Sequence, residues 1–245
     1  ANLPRRIHNR PLPHVTTTDL RQSSSEPSRG SLSRPLQQGI LETLAMKGQV
    51  ILLLNRRGFA TTIQCPSCGN VVSCPDCDLP LTHHRDGGKA VCHYCDYQIG
   101  TPPVCPKCNF DGMRFSGLGT QRLEVEVQQR FPKATIARMD SDTMRKPGSH
   151  ERVFTEFREG RVDILLGTQM IAKGLDFPNV LLVGVINADS ALHFPDFRAA
   201  ERTFQLVTQV AGRTGRGEKP GHVMVQTFSP DHPSILAASK HDFLG

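Results

Sequence analysis

Four C-x-x-C pairs occupy one short stretch of this chain: Cys65/Cys68, Cys74/Cys77, Cys92/Cys95 and Cys105/Cys108. They account for all eight of its cysteines. Thiolates paired at this spacing are zinc ligands, and eight of them suffice for two tetrahedral sites. The residue after each second cysteine is Gly69, Asp78, Asp96 or Asn109, the types that best tolerate a left-handed or tight-turn backbone. Such a turn lets both sulfurs of a pair face one ion. Pro66, Pro75 and Pro106 follow three of the first cysteines and set φ on the way into the turn. The competing readings are a disulfide framework or a redox dithiol. Matched short pairs, with no recognisable secretory signal, speak against both. Two structural Zn²⁺ ions are therefore expected. If the pairs nest, Cys65, Cys68, Cys105 and Cys108 share one ion, and Cys74, Cys77, Cys92 and Cys95 the other. The inner spacing, C-x2-C-x14-C-x2-C, is close to a zinc ribbon, and nesting would bring the two ends of the insert together. His83, His84 and His93 lie nearby, but with eight thiolates available they read as surface residues.

Two further segments could handle phosphate. LLGTQMIAKGLDFPNV (165–180) reads as a buried strand that ends at Gly167 and releases Thr168, Gln169 and the run Lys173-Gly174-x-Asp176 into a loop. Loops after strand ends of open parallel sheets are where ligands bind. Thr168 can donate to a phosphate oxygen, Gly174 permits close backbone approach, and Asp176 could reach a ribose or a metal-bound water. An ordinary strand-to-helix loop would look the same. QVAGRTGRG (209–217) carries Arg213 and Arg216. The rigid guanidinium fork suits phosphate oxygens and can stabilise charge on a transferring phosphoryl group; the bland alternative is a solvated basic turn.

These segments must be positioned by a scaffold of alternating elements. A helix is expected over residues 35–47, with Pro35 in its first turn and Gly48 closing it. VILLL (50–54) is a continuous apolar run, as in a strand covered on both faces. After the cysteines, Thr120 is expected to cap a helix to about residue 131, followed by a strand over 134–138. Ser149 is expected to cap a helix with Val153, Phe154 and Phe157 on one face and Gly160 as its stop. Strands over 162–166 and 181–186, a helix over 197–211 and a strand over 223–228 complete the series. This alternation predicts an α/β fold with a parallel sheet and helices on both faces, interrupted by a small two-zinc ribbon-like module. The domains read as an extended lead-in and loop over 1–34, the α/β lobe over 35–64 and 109–245, and the zinc insert over 65–108.

A chain of 245 residues can bury a sizeable core. Its formal net charge is +6. Eight thiolates and two Zn²⁺ lower that by four, to about +2, so bulk charge is weak evidence for nucleic acid. Local clusters such as Arg56-Arg57 and Arg213/Arg216 matter more. No apolar run is long enough to span a bilayer, which excludes a helical membrane protein from this reading. Cysteine usage fits a reducing cytoplasm.

NRRGFA (55–60), the four knuckles, GLGTQ (117–121), FPKATIARMDSDT (131–143), GTQMIAKGLDFPNV (167–180) and TQVAGRTGRG (208–217) follow one another in this order. In that order they resemble superfamily-two helicases, and within them the PriA family of replication-restart helicases. The resemblance implies the second RecA-like lobe of an ATP-driven 3′→5′ DNA helicase, with a two-zinc module inserted and ligands in the nested pairing. Position by position it implies Arg213 and Arg216 at the ATP phosphates with Gln209 beside them, and Gly174 and Asp176 at the nucleotide. It implies Thr168, Thr120 and Arg57 at the DNA backbone. Forked DNA, primosome proteins and single-stranded DNA-binding protein are the implied partners, in a bacterial cytoplasm near the nucleoid. Gln121 departs from the acidic residue usual in that family and receives no role. The sequence contains no G-x-x-x-x-G-K-[S/T] phosphate loop; Gly87-Gly88-Lys89-Ala90 lacks the hydroxyl. ATP and Mg²⁺ would thus be shared with a first lobe outside these residues. The chain alone is expected to be an inactive fragment, or else an inert zinc-dependent binding module.

Overall fold

The computed structural model describes residues 12–22, 30–54, 62–84, 87–116, 119–140, 143–144, 148–168, 171, 177–194, 196–215 and 219–243. In chain order the elements are β1 (His14–Asp19), α1 (Arg34–Ala45), β2 (Gln49–Leu53), β3 (Thr62–Gln64), β4 (Thr82–His84), β5 (Lys89–Val91), β6 (Gln98–Gly100) and β7 (Arg114–Ser116). They continue with α2 (Thr120–Arg130), β8 (Ile136–Met139), α3 (Ser149–Arg158), β9 (Ile164–Gly167), β10 (Val180–Val185), α4 (Asp189–Leu192), α5 (Ala199–Ala211), β11 (His222–Thr227) and α6 (Pro233–Ser239).

Six strands form one sheet in the order β1-β11-β10-β2-β9-β8, and every pairing is parallel. The continuous apolar run of β2 has its physical reason in this arrangement. Val50 and Leu52 point into a core with Leu36 and Ile40 of α1 and Leu123 and Val127 of α2. Ile51 and Leu53 point the other way, into a core with Val153 and Phe157 of α3, Leu206 and Val210 of α5 and Ile235 of α6. Side chains alternate across a strand, so a strand covered on both faces must be apolar at every position. The lobe is therefore a three-layer α/β/α sandwich.

The remaining strands make a separate antiparallel sheet in the order β6-β5-β4-β3-β7. The chain leaves the lobe after β2 and returns before α2. The first and last strands of the excursion, β3 and β7, pair directly, Thr62 opposite Ser116 and Gln64 opposite Arg114. The module thus extends beyond its cysteines, over 62–116 rather than 65–108.

Several local expectations shift. The lead-in over 1–34 contributes an edge strand: β1 pairs with β11 along its whole length. Its sequence, HVTTTD, lacks an apolar run because an edge strand is only half covered. Helix α1 is capped by Ser33, whose hydroxyl accepts from the Leu36 N–H at 3.4 Å. Lys47 takes the left-handed conformation at its end (φ 55). Gly48 follows it, donating its N–H to the Thr43 carbonyl at 2.9 Å, and a Cβ there would lie 2.5 Å from Leu181 Cδ1. Thr120 and Ser149 are each the first helical residue rather than the cap. Gly119 and Gly148 hold the cap positions, and neither can supply a side-chain acceptor. Gly160 does end α3, at φ 76.

Candidate functional site

The knuckles are four copies of one local structure. In each, the N–H of the residue after the second cysteine donates to the first cysteine's carbonyl: Gly69 to Cys65, Asp78 to Cys74, Asp96 to Cys92 and Asn109 to Cys105, at 2.9, 2.9, 3.0 and 3.0 Å. All four residues have positive φ, between 56° and 75°. The turn curls the intervening residues so that both sulfurs face one side. Pairing of β3 with β7 then brings the first knuckle to the last, and the β4–β5–β6 meander brings the middle two together.

The sulfurs of Cys65, Cys68, Cys105 and Cys108 lie within 4.8 Å of one another, as do those of Cys74, Cys77, Cys92 and Cys95. Individual Sγ···Sγ distances are 3.6 Å (Cys65–Cys108), 3.7 Å (Cys68–Cys105) and 3.5 Å (Cys74–Cys95). Four sulfurs placed tetrahedrally at a Zn–S bond of about 2.3 Å stand roughly 3.7–3.8 Å apart, so each cluster fits one zinc ion. Within each cluster the thiols titrate unequally. Burial pushes Cys68 up to about 12. Burial also works upward on Cys105, but the N–H groups of Cys108 and Lys107 outweigh it and bring the thiol down to about 7. In the other cluster the neighbouring Cys95 thiol raises Cys77 to about 12, while the N–H groups of Cys95 and Tyr94 lower Cys92 to about 7. Four thiolates this close cannot all ionise without a cation between them, so loading the metal must expel protons.

The module rests on the lobe through its first knuckle. A Cβ on Gly69, already at φ 75, would lie 2.8 Å from the Phe228 carbonyl oxygen. Phe228 is itself held by Asp189, a buried carboxylate that accepts from the Phe228 N–H and from the Ser229 hydroxyl, both at 2.8 Å. The module therefore sits at the edge of the parallel sheet where its strands end.

That edge also carries Thr168, half-buried immediately after β9. Thr120, expected at a DNA backbone, is instead fully buried. Its hydroxyl donates to Asp140 Oδ2 at 2.5 Å. Asp140, directly after β8, further accepts from Arg138 Nη1 at 2.5 Å and from the Thr143 N–H at 2.9 Å. Burial opposes its charge, but these donors outweigh it and hold the carboxyl at about 2. The network ties the start of α2, where the chain returns from the zinc module, to the end of β8.

The arginine segment is anchored at the opposite edge. Thr214 Oγ1 and the Gly215 N–H both donate to the Val180 carbonyl, at 2.9 and 3.4 Å. Val180 opens β10 and closes the 165–180 segment, so the two segments are joined directly. By strand register Val180 lies level with Gln49, whereas Gly167 lies level with Leu53, about 13 Å farther along the sheet at roughly 3.3 Å per residue. The Arg213 side chain and Ile171 line one apolar slot with Ile51, Leu53, Val183 and Val210. Gln209 is exposed one helical turn before Arg213. Arg57, Gly174, Asp176 and Arg216 lie outside the described residues. Asp140, Asp189 and Thr214 carry connections that sequence reasoning passed over: Asp140 to Thr120, Asp189 to Phe228 and Thr214 to Val180 each span 20 or more residues.

Residues 74–99 match the PriA DNA helicase Cys-rich region (CRR) domain, and residues 117–218 match the helicase conserved C-terminal domain. The chain is 49% identical over 242 residues to the replication restart protein PriA of Bacillus subtilis, covering 99% of this chain and 30% of that protein. It is 45% identical over 247 residues to the Synechocystis protein of the same name, again covering 99% and 30%. Among solved structures, the C-terminal domain of the DEAD-box protein Dbp5 is 13% identical over 95% of this chain and 86% of that one, with a TM-score of 0.46. The chain thus spans about 30% of the length of the curated relatives it matches, and over that segment it is homologous to the replication restart proteins PriA.

Proposed function

We propose that this homologue of the PriA proteins is the second RecA-like lobe, with its zinc module, of an ATP-dependent 3′→5′ DNA helicase that restarts replication in the bacterial cytoplasm. The observation that carries the reading is the junction at Val180. One carbonyl accepts from Thr214 and Gly215, which joins the start of β10, where the 165–180 segment ends, to the turn after α5 although some thirty residues separate them in sequence. In this reading Arg213 and Arg216 meet the phosphates of ATP, Gln209 lies beside them, and Gly174 and Asp176 meet the nucleotide. Guanidinium groups there would stabilise charge developing on the transferring phosphoryl group, while a first lobe supplies the phosphate loop and the Mg²⁺ ligands.

DNA would run past Thr168 and the zinc module, with Arg57 as a further backbone contact. Thr120 has no direct part in this reading, because Asp140 holds its hydroxyl. Its contribution is to fix the start of α2. Primosome proteins and single-stranded DNA-binding protein would approach from the module side. A lobe that lacks the phosphate loop supplies only half of the nucleotide contacts. The purified chain should therefore hydrolyse no ATP, and joining it to a phosphate-loop lobe should restore DNA-stimulated hydrolysis. Robust DNA-stimulated ATPase from the chain alone would contradict the proposal.

A further inference from the structure

Outside the two thiolate clusters, one pair of imidazoles on the zinc module is built as a metal site. His84, at the end of β4, and His93, between Cys92 and Cys95, place their Nε2 atoms 3.1 Å apart, with ring centroids 5.0 Å apart and planes at 63°. Two bonds of about 2.05 Å meeting at one ion with an angle of 90–110° put nitrogens roughly 2.9–3.4 Å apart. The observed separation falls inside that window, and both rings are exposed, so an ion could reach them from solvent.

The neighbouring histidines are arranged differently. His83 Nδ1 meets the Thr101 hydroxyl at 2.9 Å. His222, whose ring lies 5.5 Å from that of His14, turns its Nε2 to the Thr16 hydroxyl at 2.8 Å. In the His84/His93 pair, by contrast, the ring nitrogens face each other.

Both backbones are also held in place. His84 is paired with Lys89 in the β4–β5 ladder. His93 sits in a knuckle closed by the Asp96 N–H to the Cys92 carbonyl (3.0 Å) and the Cys92 N–H to the Tyr97 carbonyl (2.8 Å). A site on rigid elements loses little freedom when it binds.

We propose that His84 and His93 form a third metal site, for a borderline divalent cation of the kind imidazole prefers, Zn²⁺, Ni²⁺ or Cu²⁺. Two protein ligands leave coordination positions open for water or for an external donor. The site is therefore open and exchangeable, unlike the two closed thiolate sites. This proposal does not depend on the helicase reading.

The test is a titration of the zinc-loaded chain with Ni²⁺, which elemental analysis distinguishes from the thiolate-held zinc. One equivalent of Ni²⁺ should bind with both zinc ions retained. His84→Gln and His93→Gln should each weaken that binding by about tenfold or more, with zinc content unchanged, and His83→Gln should leave it as it was. Saturation without any nickel bound, nickel binding equal in both variants and the parent, or equal loss in His83→Gln would overturn the assignment. The first of these results would leave a simple imidazole–imidazole hydrogen bond.

Discussion

The zinc module and the α/β lobe share one chain but are stabilised by different means. The lobe buries two extensive apolar cores, one on each face of its parallel sheet. The module's core is small: four cysteines, Cys65, Cys74, Cys92 and Cys105, are buried with Ile63, Val72, Leu81, Ala90 and Met113. A region of this size with so small an apolar core is marginal by itself, so metal binding is expected to supply much of its folding energy. The lobe needs no ion, because its strands and helices cover one another. The module is therefore an attachment that folds on its metals, and the lobe is a scaffold that folds on its apolar cores.

Removing the metals should separate the two regions most clearly. Structural zinc contributes on the order of 10 kcal/mol or more in zinc-finger peptides. Chelation should abolish the β-sheet signals of residues 62–116 while the helices of the lobe persist in circular dichroism. Cooperative unfolding of both regions on chelation would erase the distinction. Because metal loading expels protons, zinc retention should also fall as pH falls, and a pH-independent zinc content on acidification would count against thiolate ligation.

A substitution in the sheet should do the reverse. Leu52→Ala removes a fully buried side chain from the α1/α2 core and should cost about 2–5 kcal/mol in urea unfolding. Zinc content should remain at two ions per chain. Loss of zinc in this variant would mean that the lobe and the module fold as one unit.

Asp140 acts within the lobe, where the chain returns from the module, and its effect is smaller. Its carboxyl is held at about 2, below the ordinary value of 3.8. A lowered folded pKa gives stability that is fully present above about 3.8 and is lost as pH falls toward 2, amounting to about 2 kcal/mol. Asp140→Asn should remove that increment at neutral pH and flatten the stability profile in this acid range. An unchanged acid profile would show that the carboxylate does not hold the start of α2.

The two regions also differed in how legible they were. In the module, ligand type and turn residue lie within a few positions of each other, so Asp78, Asp96 and Asn109 announced their left-handed turns. In the lobe, β2 was legible because a doubly covered strand has to be apolar throughout. β1 was not, because HVTTTD at a sheet edge carries no such pattern. The helix starts at Thr120 and Ser149 shifted by one residue because each follows a glycine that occupies the cap. The Thr120–Asp140 and Thr214–Val180 contacts depend on how distant segments come together, and no local spacing encodes them. The same holds for the slot that brings Arg213 to Leu53 and Ile171.

The most direct measurement is DNA-stimulated ATP hydrolysis by this lobe joined to a phosphate-loop lobe, comparing Arg213→Ala with the parent and recording DNA affinity and zinc content in both. Hydrolysis should fall on the order of a hundredfold or more, with DNA binding and two zinc ions retained. Hydrolysis at the parental rate in Arg213→Ala would contradict the assignment of Arg213 to ATP.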